Sequence, residues 1–534
     1  MWRLILLTSI LNPTVTADEQ PFIWGAATAA YQIEGAVGVD GGGLNIWDSF
    51  SRIPNKTQNQ TADIADGSYY YYEKDIELLK NMGFSAYRFS IAWQRIFPAG
   101  KGEINQAGVD HYNHMIDAII AAGLIPFVTL YHWDLPQTLH DEYGGWLSEK
   151  IIPDFTRFAD ICFQNYGDRV KHWITLNEPL TFTVEGYSSG IFAPGHCSDR
   201  TKCSTGDSTT EPYIVTHNAL LAHSEVVKLY RSKYKAQSGQ IGITLNMEWG
   251  EPYRHTAEDE AAAERWREFS FAWFMDPIVF GSYPECMRER VGERLPEFTK
   301  EQSEQIKGSW DFFGVNHYAT WYFEHKDFSP SSSYGEDIGV RKTEYDPNGR
   351  IIGPVAASPW LHVVPSGMYK LLKWIDKRYD SPLIYITENG CDVPNENNMK
   401  LEEAIKDQFR IDYYKGYLSA VARAIEEGVN VRGYFAWSLL DNFEWADGFS
   451  MRFGLHYVDY TSPDLTRTPK DSAYWFNKFA SANPMFARDE TTRHQMYQEL
   501  SVQDDERDDW LTGLEDAIIK TDGAVFFGGN GFAG

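Results

Sequence analysis

Residues 383–387 read LIYIT, residues 431–437 read VRGYFAW, and the segment 406–427 between them has the apolar spacing of a helix. Short runs rich in β-branched and aromatic residues, separated by a helix-length segment, predict a β-α-β unit with parallel strands. The same alternation recurs along the chain. The sequence therefore predicts an α/β protein with a parallel sheet.

Counting the repeats decides between the possible architectures. The candidate strands are 22–29, 86–92, 125–130, 173–176, 240–245, 312–315, 383–387 and 431–437. The candidate helices between them include 72–82, 108–122, 151–166, 211–235, 261–274, 365–379 and 406–427. Eight strands with crossovers predict a single (β/α)8 barrel, with the remaining length in long βα loops. A doubly wound open sheet is the alternative, but no glycine-rich phosphate fingerprint follows any strand, and Gly41-Gly42-Gly43 is predicted to be a loop.

The composition is that of a globular protein and argues against polyanionic partners. The 534 residues are 43% apolar and 23% charged, and the formal net charge is 48 − 75 = −27. Such a charge opposes binding to nucleic acid or to anionic lipid headgroups. The high aromatic content, 15%, indicates large cores and is also compatible with a site that has aromatic walls.

The first 17 residues have the pattern of a signal peptide. A charged start at Arg3 is followed by an apolar run and by the small residue Ala17, after which we predict cleavage. We therefore expect a secreted or lumenal protein. Elsewhere no stretch reaches the roughly 18 apolar residues that a membrane span needs. The tripeptides that begin at Asn55 and Asn59 are possible glycosylation sites.

The five cysteines are too few and too scattered for a disulfide framework, and their spacing matches no metal site. Cys197 and Cys203 differ, because they lie six positions apart in a polar loop that a local disulfide could close in an oxidising compartment. The other three cysteines, Cys162, Cys286 and Cys391, are predicted to be buried thiols.

The repeats predict a barrel domain at 18–482, and two segments differ from it in composition. Within the domain, 326–348 is rich in Ser, Asp and Gly and is predicted to be a long loop. Residues 483–534 form an acidic C-terminal tail that we expect to be partly disordered, with a possible amphipathic helix at 510–519.

The reactive side chains fall at the ends of the predicted strands, where a barrel of this kind holds its active site. Glu178 follows strand four and Glu388 follows strand seven. Burying a carboxyl group there is costly unless it is paired or functional. Two carboxyl groups facing one another across the barrel mouth are the pair that glycoside hydrolysis requires.

These motifs resemble those of glycoside hydrolase family 1, and within it the secreted plant-type β-glucosidases. The resemblance runs from Phe22 to Phe476 and includes Thr175-Leu176-Asn177-Glu178-Pro179 and Ile386-Thr387-Glu388-Asn389-Gly390, whose glutamates lie 210 positions apart. The loop that contains Cys197 and Cys203 also resembles the plant-type members.

The resemblance implies a role for each matching residue. It makes Glu178 the acid/base and Glu388 the nucleophile, with Arg88 and Tyr318 supporting the nucleophile. The residues that it implies for binding the sugar are Gln32, His132, Asn177, Trp437, Glu444 and Trp445, with Trp360 as a platform for the aglycone. Repulsion by an ionised Glu388 is expected to keep Glu178 protonated, and a negative charge on Glu444 is expected to disfavour phosphorylated sugars.

The expected activity is that of a retaining β-glycosidase that releases terminal non-reducing β-D-glucosyl residues from O-glycosides through a covalent glycosyl-enzyme. The substrate is a small-molecule or oligosaccharide β-glucoside, and neither a metal nor an organic cofactor is expected. Two alternatives stay open at this point. One is a transglucosidase that uses the same intermediate, and the other is a sugar-binding barrel without catalytic activity.

Overall fold

The computed structural model describes residues 21–327 and 333–487, together with Met496 and Leu500. Its strands in chain order are β1 (Ile23–Ala27), β2 (Ala86–Ser90), β3 (Ile125–Tyr131), β4 (His172–Asn177), β5 (Gln240–Asn246), β6 (Trp249–Pro252), β7 (Phe312–Asn316), β8 (Thr320–His325), β9 (Val340–Thr343), β10 (Ile384–Asn389), β11 (Val431–Trp437), β12 (His456–Val458) and β13 (Arg467–Pro469).

The α-helices in the same residues are α1 (Ala30–Ile33), α2 (Ile46–Phe50), α3 (Ser68–Asn81), α4 (Trp93–Ile96), α5 (Gln106–Ala121), α6 (Gln137–Tyr143), α7 (Ile151–Tyr166), α8 (Pro179–Val184), α9 (Glu211–Lys233), α10 (Ala257–Arg267), α11 (Trp273–Phe280), α12 (Glu285–Val291), α13 (Lys300–Ile306), α14 (Tyr334–Ile338), α15 (Pro365–Tyr379), α16 (Leu401–Ala404), α17 (Gln408–Glu426) and α18 (Asp471–Ala482).

Eight strands close into a parallel barrel, so the predicted fold class is confirmed. Their order around the barrel is β1-β11-β10-β7-β5-β4-β3-β2. Each matches a predicted strand, and the ends agree to within two residues. β4 and β10 are three strands apart in this order, so the carboxyl groups at their ends are brought to the same mouth.

Aromatic rings fill the interior of the barrel. Phe127 on β3 stacks on His172 of β4 at 4.0 Å between ring centroids and meets Phe435 of β11 at 4.7 Å. Gly25 on β1 makes room for the ring of Phe435, because a Cβ atom on Gly25 would lie 2.6 Å from it. The interior is therefore a packed core that leaves the mouth as the place for a ligand.

The segment 326–348 differs from its prediction as a long loop. Its described part contains α14 and β9, and β9 pairs antiparallel with β8 beside β6 in a three-stranded sheet. Tyr334 and Ile338 of α14 are buried. The sequence of β9, VRKT, has no apolar alternation that would predict a strand. This strand forms because it pairs with β8, rather than because of its own sequence.

The first residues of the predicted tail pack against the end of the barrel that lies opposite the mouth. The carbonyl of Pro484 accepts a hydrogen bond from the amide of Phe22 at 2.7 Å, and the Phe486 ring lies 4.9 Å from Trp24. The predicted signal peptide 1–17 and the possible helix 510–519 lie outside the described residues. Within the described residues, no helix combines the length and apolar character needed to cross a bilayer.

The predicted disulfide is present. Cys197 and Cys203 are bonded, with their Cα atoms 5.5 Å apart, and the bridge closes the polar loop between α8 and α9. Cys162 and Cys391 are buried thiols, as predicted, whereas Cys286 is only half-buried.

Candidate active site

A cavity of about 570 Å³ opens at the carboxyl ends of the barrel strands. Its walls include most of the side chains that the sequence singled out, namely His132, Asn177, Glu178, Tyr318, Trp360, Glu388, Trp437, Glu444 and Trp445. Gln32 and Arg88 lie behind these residues and contact them. The mouth of the barrel thus brings the predicted site residues together.

Glu388, on β10, is held by two strong donors. The Arg88 guanidinium donates to Oε1 at 2.5 Å, and the Tyr318 hydroxyl donates to Oε2 at 2.7 Å. Arg88 is only 1% exposed, so its charge is poorly screened by water. An arginine and a phenol directed at the two oxygens stabilise the carboxylate and fix its orientation.

Glu178 lies directly after β4 and has a different environment. Its two oxygens accept hydrogen bonds from neutral groups, Asn316 Nδ2 at 2.7 Å and Thr181 Oγ1 at 2.8 Å. Burial, and secondarily the nearby Glu388 carboxylate, raises the pKa of Glu178 to about 8. Repulsion by Glu388, the cause expected from the sequence, does raise the pKa of Glu178, but the loss of hydration is the larger cause.

The backbone of Glu178 has φ 46°, in the left-handed region that non-glycine residues rarely adopt. The residue caps α8, whose first residue is Pro179. Glu178 is the single residue between the end of β4 and the start of α8, and this sharp turn places its carboxyl group in the cavity. Such a conformation persists only where the surrounding structure holds it, as is common at functional sites.

A chain of hydrogen bonds fixes the proton on His132. Arg88 Nη2 donates to Asn177 Oδ1 at 2.6 Å, which leaves Asn177 Nδ2 to donate to His132 Nε2 at 3.0 Å. Burial and the Arg88 charge lower the pKa of His132 well below its usual value. His132 is therefore neutral with its proton on Nδ1, a buried atom without a hydrogen-bond partner among the described residues. This N–H group can donate to a ligand hydroxyl.

Gln32 contacts the carboxyl group of Glu444, its Nε2 atom donating to Glu444 Oε2 at 3.4 Å. Gln32 Nε2 donates to Asn442 Oδ1 and to the Phe443 carbonyl, each at 3.0 Å. Its Oε1 atom is buried and makes no hydrogen bond to any described residue. Sequence reasoning missed Asn442, whose only signal was its place in the segment after β11.

The surroundings of Glu444 bear on the charge expected for it from the sequence. Burial, followed by the Asp447 carboxylate, raises the pKa of Glu444 well above its ordinary value. This direction weakens the argument that charge repulsion disfavours a phosphorylated sugar, and that exclusion stays a prediction. A neutral carboxyl group still offers one donor and an acceptor to sugar hydroxyls.

Aromatic rings supply the apolar walls. The His132 ring is roughly parallel to the rings of Trp437 and Trp445, at 6.0 Å from each, and Trp445 also meets Trp133 at 4.4 Å. Trp360, by contrast, is 37% exposed at the rim. It stacks on the Phe453 ring at 6.5 Å. Trp133 was not predicted, although it directly follows His132 in sequence.

Asp441 holds the segment after β11 in place. Its buried carboxylate accepts from Lys470 at 2.8 Å, from Arg452 at 2.6 Å and from the amide of Gly454 at 2.9 Å. These bonds hold the segment that carries Glu444 and Trp445. In the part of the chain that the structure describes, no group of three or more His, Cys, Asp or Glu side chains is arranged to hold a metal ion.

The predicted glycosylation sites are accessible. Asn55 and Asn59 are both exposed, and the amide of Asn55 donates to Asn59 Oδ1 at 2.9 Å. Their modification stays a prediction.

Glu388, paired with arginine, and Glu178, bonded only to neutral donors, lie at the mouth of one (β/α)8 barrel, which is the arrangement of a glycoside hydrolase. The chain belongs to glycosyl hydrolase family 1, whose sequence model matches residues 17–485. The family predicted from the two glutamate motifs is thus confirmed.

Relatives and solved structures agree with this assignment. The chain is 50% identical to β-glucosidase 6 of Oryza sativa subsp. japonica over 85% of this chain and 89% of that protein. It is also 50% identical to β-glucosidase 40 of Arabidopsis thaliana, over 86% and 92% of the two chains. A rice β-glucosidase mutant in a covalent complex with Glc aligns with a TM-score of 0.84 at 50% identity, covering 85% of this chain and 97% of that one. A β-glucosidase of the fungus Humicola insolens in complex with glucose aligns with a TM-score of 0.82 at 48% identity, covering 85% and 96%.

Proposed function

We propose that this protein is a retaining β-glucosidase that hydrolyses terminal non-reducing β-D-glucosyl residues of O-glycosides. The observation that carries the proposal is the difference between the two carboxyl groups. Glu388 is paired with Arg88 and Tyr318, which suits a nucleophile that must be ionised. Glu178 has neutral partners and a pKa raised to about 8 by burial, which suits a proton donor.

In the first half-reaction Glu388 attacks the anomeric carbon while Glu178 gives its proton to the glycosidic oxygen. The bond from that carbon to the leaving oxygen breaks, and the leaving group departs as a neutral alcohol. The sugar is then esterified to Glu388. Arg88 and Tyr318 orient the nucleophile for this attack, since each contacts a different oxygen of it.

In the second half-reaction water replaces the leaving group. Esterification removes the Glu388 charge, which is the second cause of the raised pKa of Glu178, so Glu178 becomes easier to ionise. It takes a proton from water as the water attacks the anomeric carbon and frees Glu388. Two inversions at that carbon give net retention of the β configuration.

The walls of the cavity suit a neutral pyranose. The Nδ1–H group of His132 and the Oε1 atom of Gln32 supply a donor and an acceptor that the described residues leave unused. Asn177 and Glu444 add further polar groups, and Trp437 and Trp445 lie against the apolar faces of the ring. Trp360, exposed at the rim, is the platform for the aglycone.

The two alternatives raised by the sequence are not favoured. The relatives are named β-glucosidases, and one related structure is a covalent complex with Glc, which a sugar-binding barrel without catalysis does not form. A transglucosidase would use the same residues, but the relatives reported above carry the name β-glucosidase and not that of a transferase.

The stereochemical outcome tests the proposal directly. We expect the first-formed glucose from an aryl β-glucoside to be the β anomer, because a covalent intermediate requires two inversions. Proton NMR at early times, before mutarotation, measures this. Initial release of the α anomer, or no hydrolysis at all, would contradict the proposal.

The pH dependence provides a second test. Glu178 must be protonated to act as an acid, so kcat/KM should fall as the pH rises through its pKa in the free enzyme, about 8. We expect the alkaline limb for 4-nitrophenyl β-glucoside to have its midpoint within about one unit of that value. A 2,4-dinitrophenyl glucoside, whose leaving group needs little protonation, should lose this limb. An identical limb for both substrates would assign the titration to another group.

We also propose that the protein is secreted or lumenal, and that it consists of a barrel domain at 18–482 and a tail at 483–534. The disulfide between Cys197 and Cys203 supports an oxidising compartment. The match of the family model, which ends at residue 485, supports a barrel domain that stops near 482.

A further inference from the structure

The two oxygens of Glu178 have partners with different capabilities. Asn316 can only donate to Oε1, because its own Oδ1 atom already accepts from Thr387 Oγ1 at 2.7 Å. Thr181, which contacts Oε2, carries a hydroxyl that can donate or accept. Oε1 is thus fixed as an acceptor, and Oε2 is left as the oxygen that carries the proton.

Thr181 is in turn held by Asn246, at the end of β5. Asn246 Nδ2 donates to Thr181 Oγ1 at 2.8 Å, which directs the Thr181 hydroxyl proton towards Glu178 Oε2. Asn246 Oδ1 is buried and has no hydrogen-bond partner among the described residues. Both residues line the cavity beside Glu178.

We propose that Thr181, aligned by Asn246, is a positioning residue that places the catalytic proton on Oε2 of Glu178 and adjusts to both protonation states of that carboxyl group. This inference rests on the proposed role of Glu178 as the acid/base. It specifies that Oε2 is the oxygen of Glu178 that carries the proton. It also names Thr181 as a partner that can either donate a hydrogen bond to this oxygen or accept one from it.

The side chains of Asn246, Thr181 and Glu178 can be hydrogen-bonded in both protonation states of Glu178 without a movement of the backbone. When Glu178 is ionised, the bonds run from Asn246 Nδ2 to Thr181 Oγ1 and from Thr181 Oγ1 to Oε2. When Oε2 is protonated, it can donate to Thr181 Oγ1 instead, and the Thr181 hydroxyl then needs an acceptor. Rotation of the Asn246 amide by half a turn supplies one, its otherwise unused Oδ1 atom.

Removing the Thr181 hydroxyl should favour the protonated form of Glu178. A hydrogen bond from Thr181 to the carboxylate lowers the pKa of Glu178, against the larger effect of burial. We therefore expect Thr181→Val to move the alkaline limb of kcat/KM for 4-nitrophenyl β-glucoside upwards by about half to one pH unit. Thr181→Ser should restore the wild-type midpoint, because it keeps the hydroxyl.

The matched control is Thr183→Val, the same change on the same helix. The Thr183 hydroxyl is buried against Thr216 at 3.5 Å and does not contact Glu178, so its removal should leave the midpoint in place. Asn246→Ala, which removes only the alignment, should move the midpoint upwards by less than Thr181→Val does. This second variant keeps the test available if Thr181→Val does not fold.

The outcomes separate this inference from the proposed function. A midpoint unchanged in both Thr181→Val and Asn246→Ala, or one moved downwards, overturns the role of Thr181 while leaving Glu178 as the acid. The proposed function fails by a different result, namely full activity of Glu178→Gln on poor leaving groups. An equal shift in Thr183→Val would show that the effect comes from the helix rather than from the hydroxyl.

Discussion

Glu388→Ala is expected to lower kcat for aryl β-glucosides by a factor on the order of 10⁴ or more, because the covalent step loses its nucleophile. The surrounding donors, Arg88 and Tyr318, then have no carboxylate to orient. Azide should restore turnover by entering the space that the side chain leaves. It attacks from the face that Glu388 used, so the product should be α-glucosyl azide, which NMR identifies.

Folding has to be checked separately in this variant, because removal of Glu388 leaves a buried arginine charge without its partner. Glu388→Gln, which preserves shape, should be equally inactive if the charge is what matters. Glu402→Ala, on the exposed surface of α16, is the matched control and should retain wild-type activity. Hydrolysis by Glu388→Ala within tenfold of wild type would exclude Glu388 as the nucleophile.

Glu178→Gln is expected to divide substrates according to their leaving groups. General acid catalysis contributes about 10²- to 10⁴-fold, so glucosides of alkyl alcohols should lose that much in kcat/KM. A 2,4-dinitrophenyl glucoside should form the intermediate at nearly the wild-type rate. Without a base, the glucosyl-enzyme should then accumulate, visible as a burst of dinitrophenol and as a glucosyl adduct on Glu388 by mass spectrometry.

Azide provides the diagnostic result for this second variant. It needs no base and should attack the accumulated intermediate from the face opposite Glu388, giving β-glucosyl azide. The opposite configurations expected from the two variants thus assign the two roles independently of rates. Equal losses for all leaving groups, with no adduct, would remove Glu178 from the acid/base role.

Much of the barrel could be predicted because its strands have a strong local signal. Strands buried on both faces, such as β3 and β10, read as nearly continuous apolar runs that end where the active site begins. Glu178 and Glu388 were recognisable for the same reason, as carboxyl groups placed directly after such runs. The helices between strands were found from their apolar period, and α7 and α15 matched their predictions at both ends.

The features that the sequence did not predict lack such a local pattern of apolar residues. β9 is a short charged strand that exists because β8 pairs with it. Thr181, Asn246 and Asn442 are ordinary polar residues in sequence, and only folding brings them to the carboxyl groups and to Gln32. Trp133 stands beside a predicted residue, but its packing against Trp445 depends on the segment after β11.

By itself, the sequence determined that this chain forms a (β/α)8 barrel with two carboxyl groups at its mouth, because apolar period and strand ends are local properties. The tertiary structure alone decided how those carboxyl groups differ. Arg88 reaches Glu388 across 300 residues of chain, and Asn316 reaches Glu178 across 138. The proton affinity of a carboxyl group is set by burial and by neighbours within a few ångströms, and those neighbours come from distant strands. The raised pKa of Glu444 has the same origin, since only the folded barrel shows the loss of hydration and the neighbouring carboxylates around that side chain.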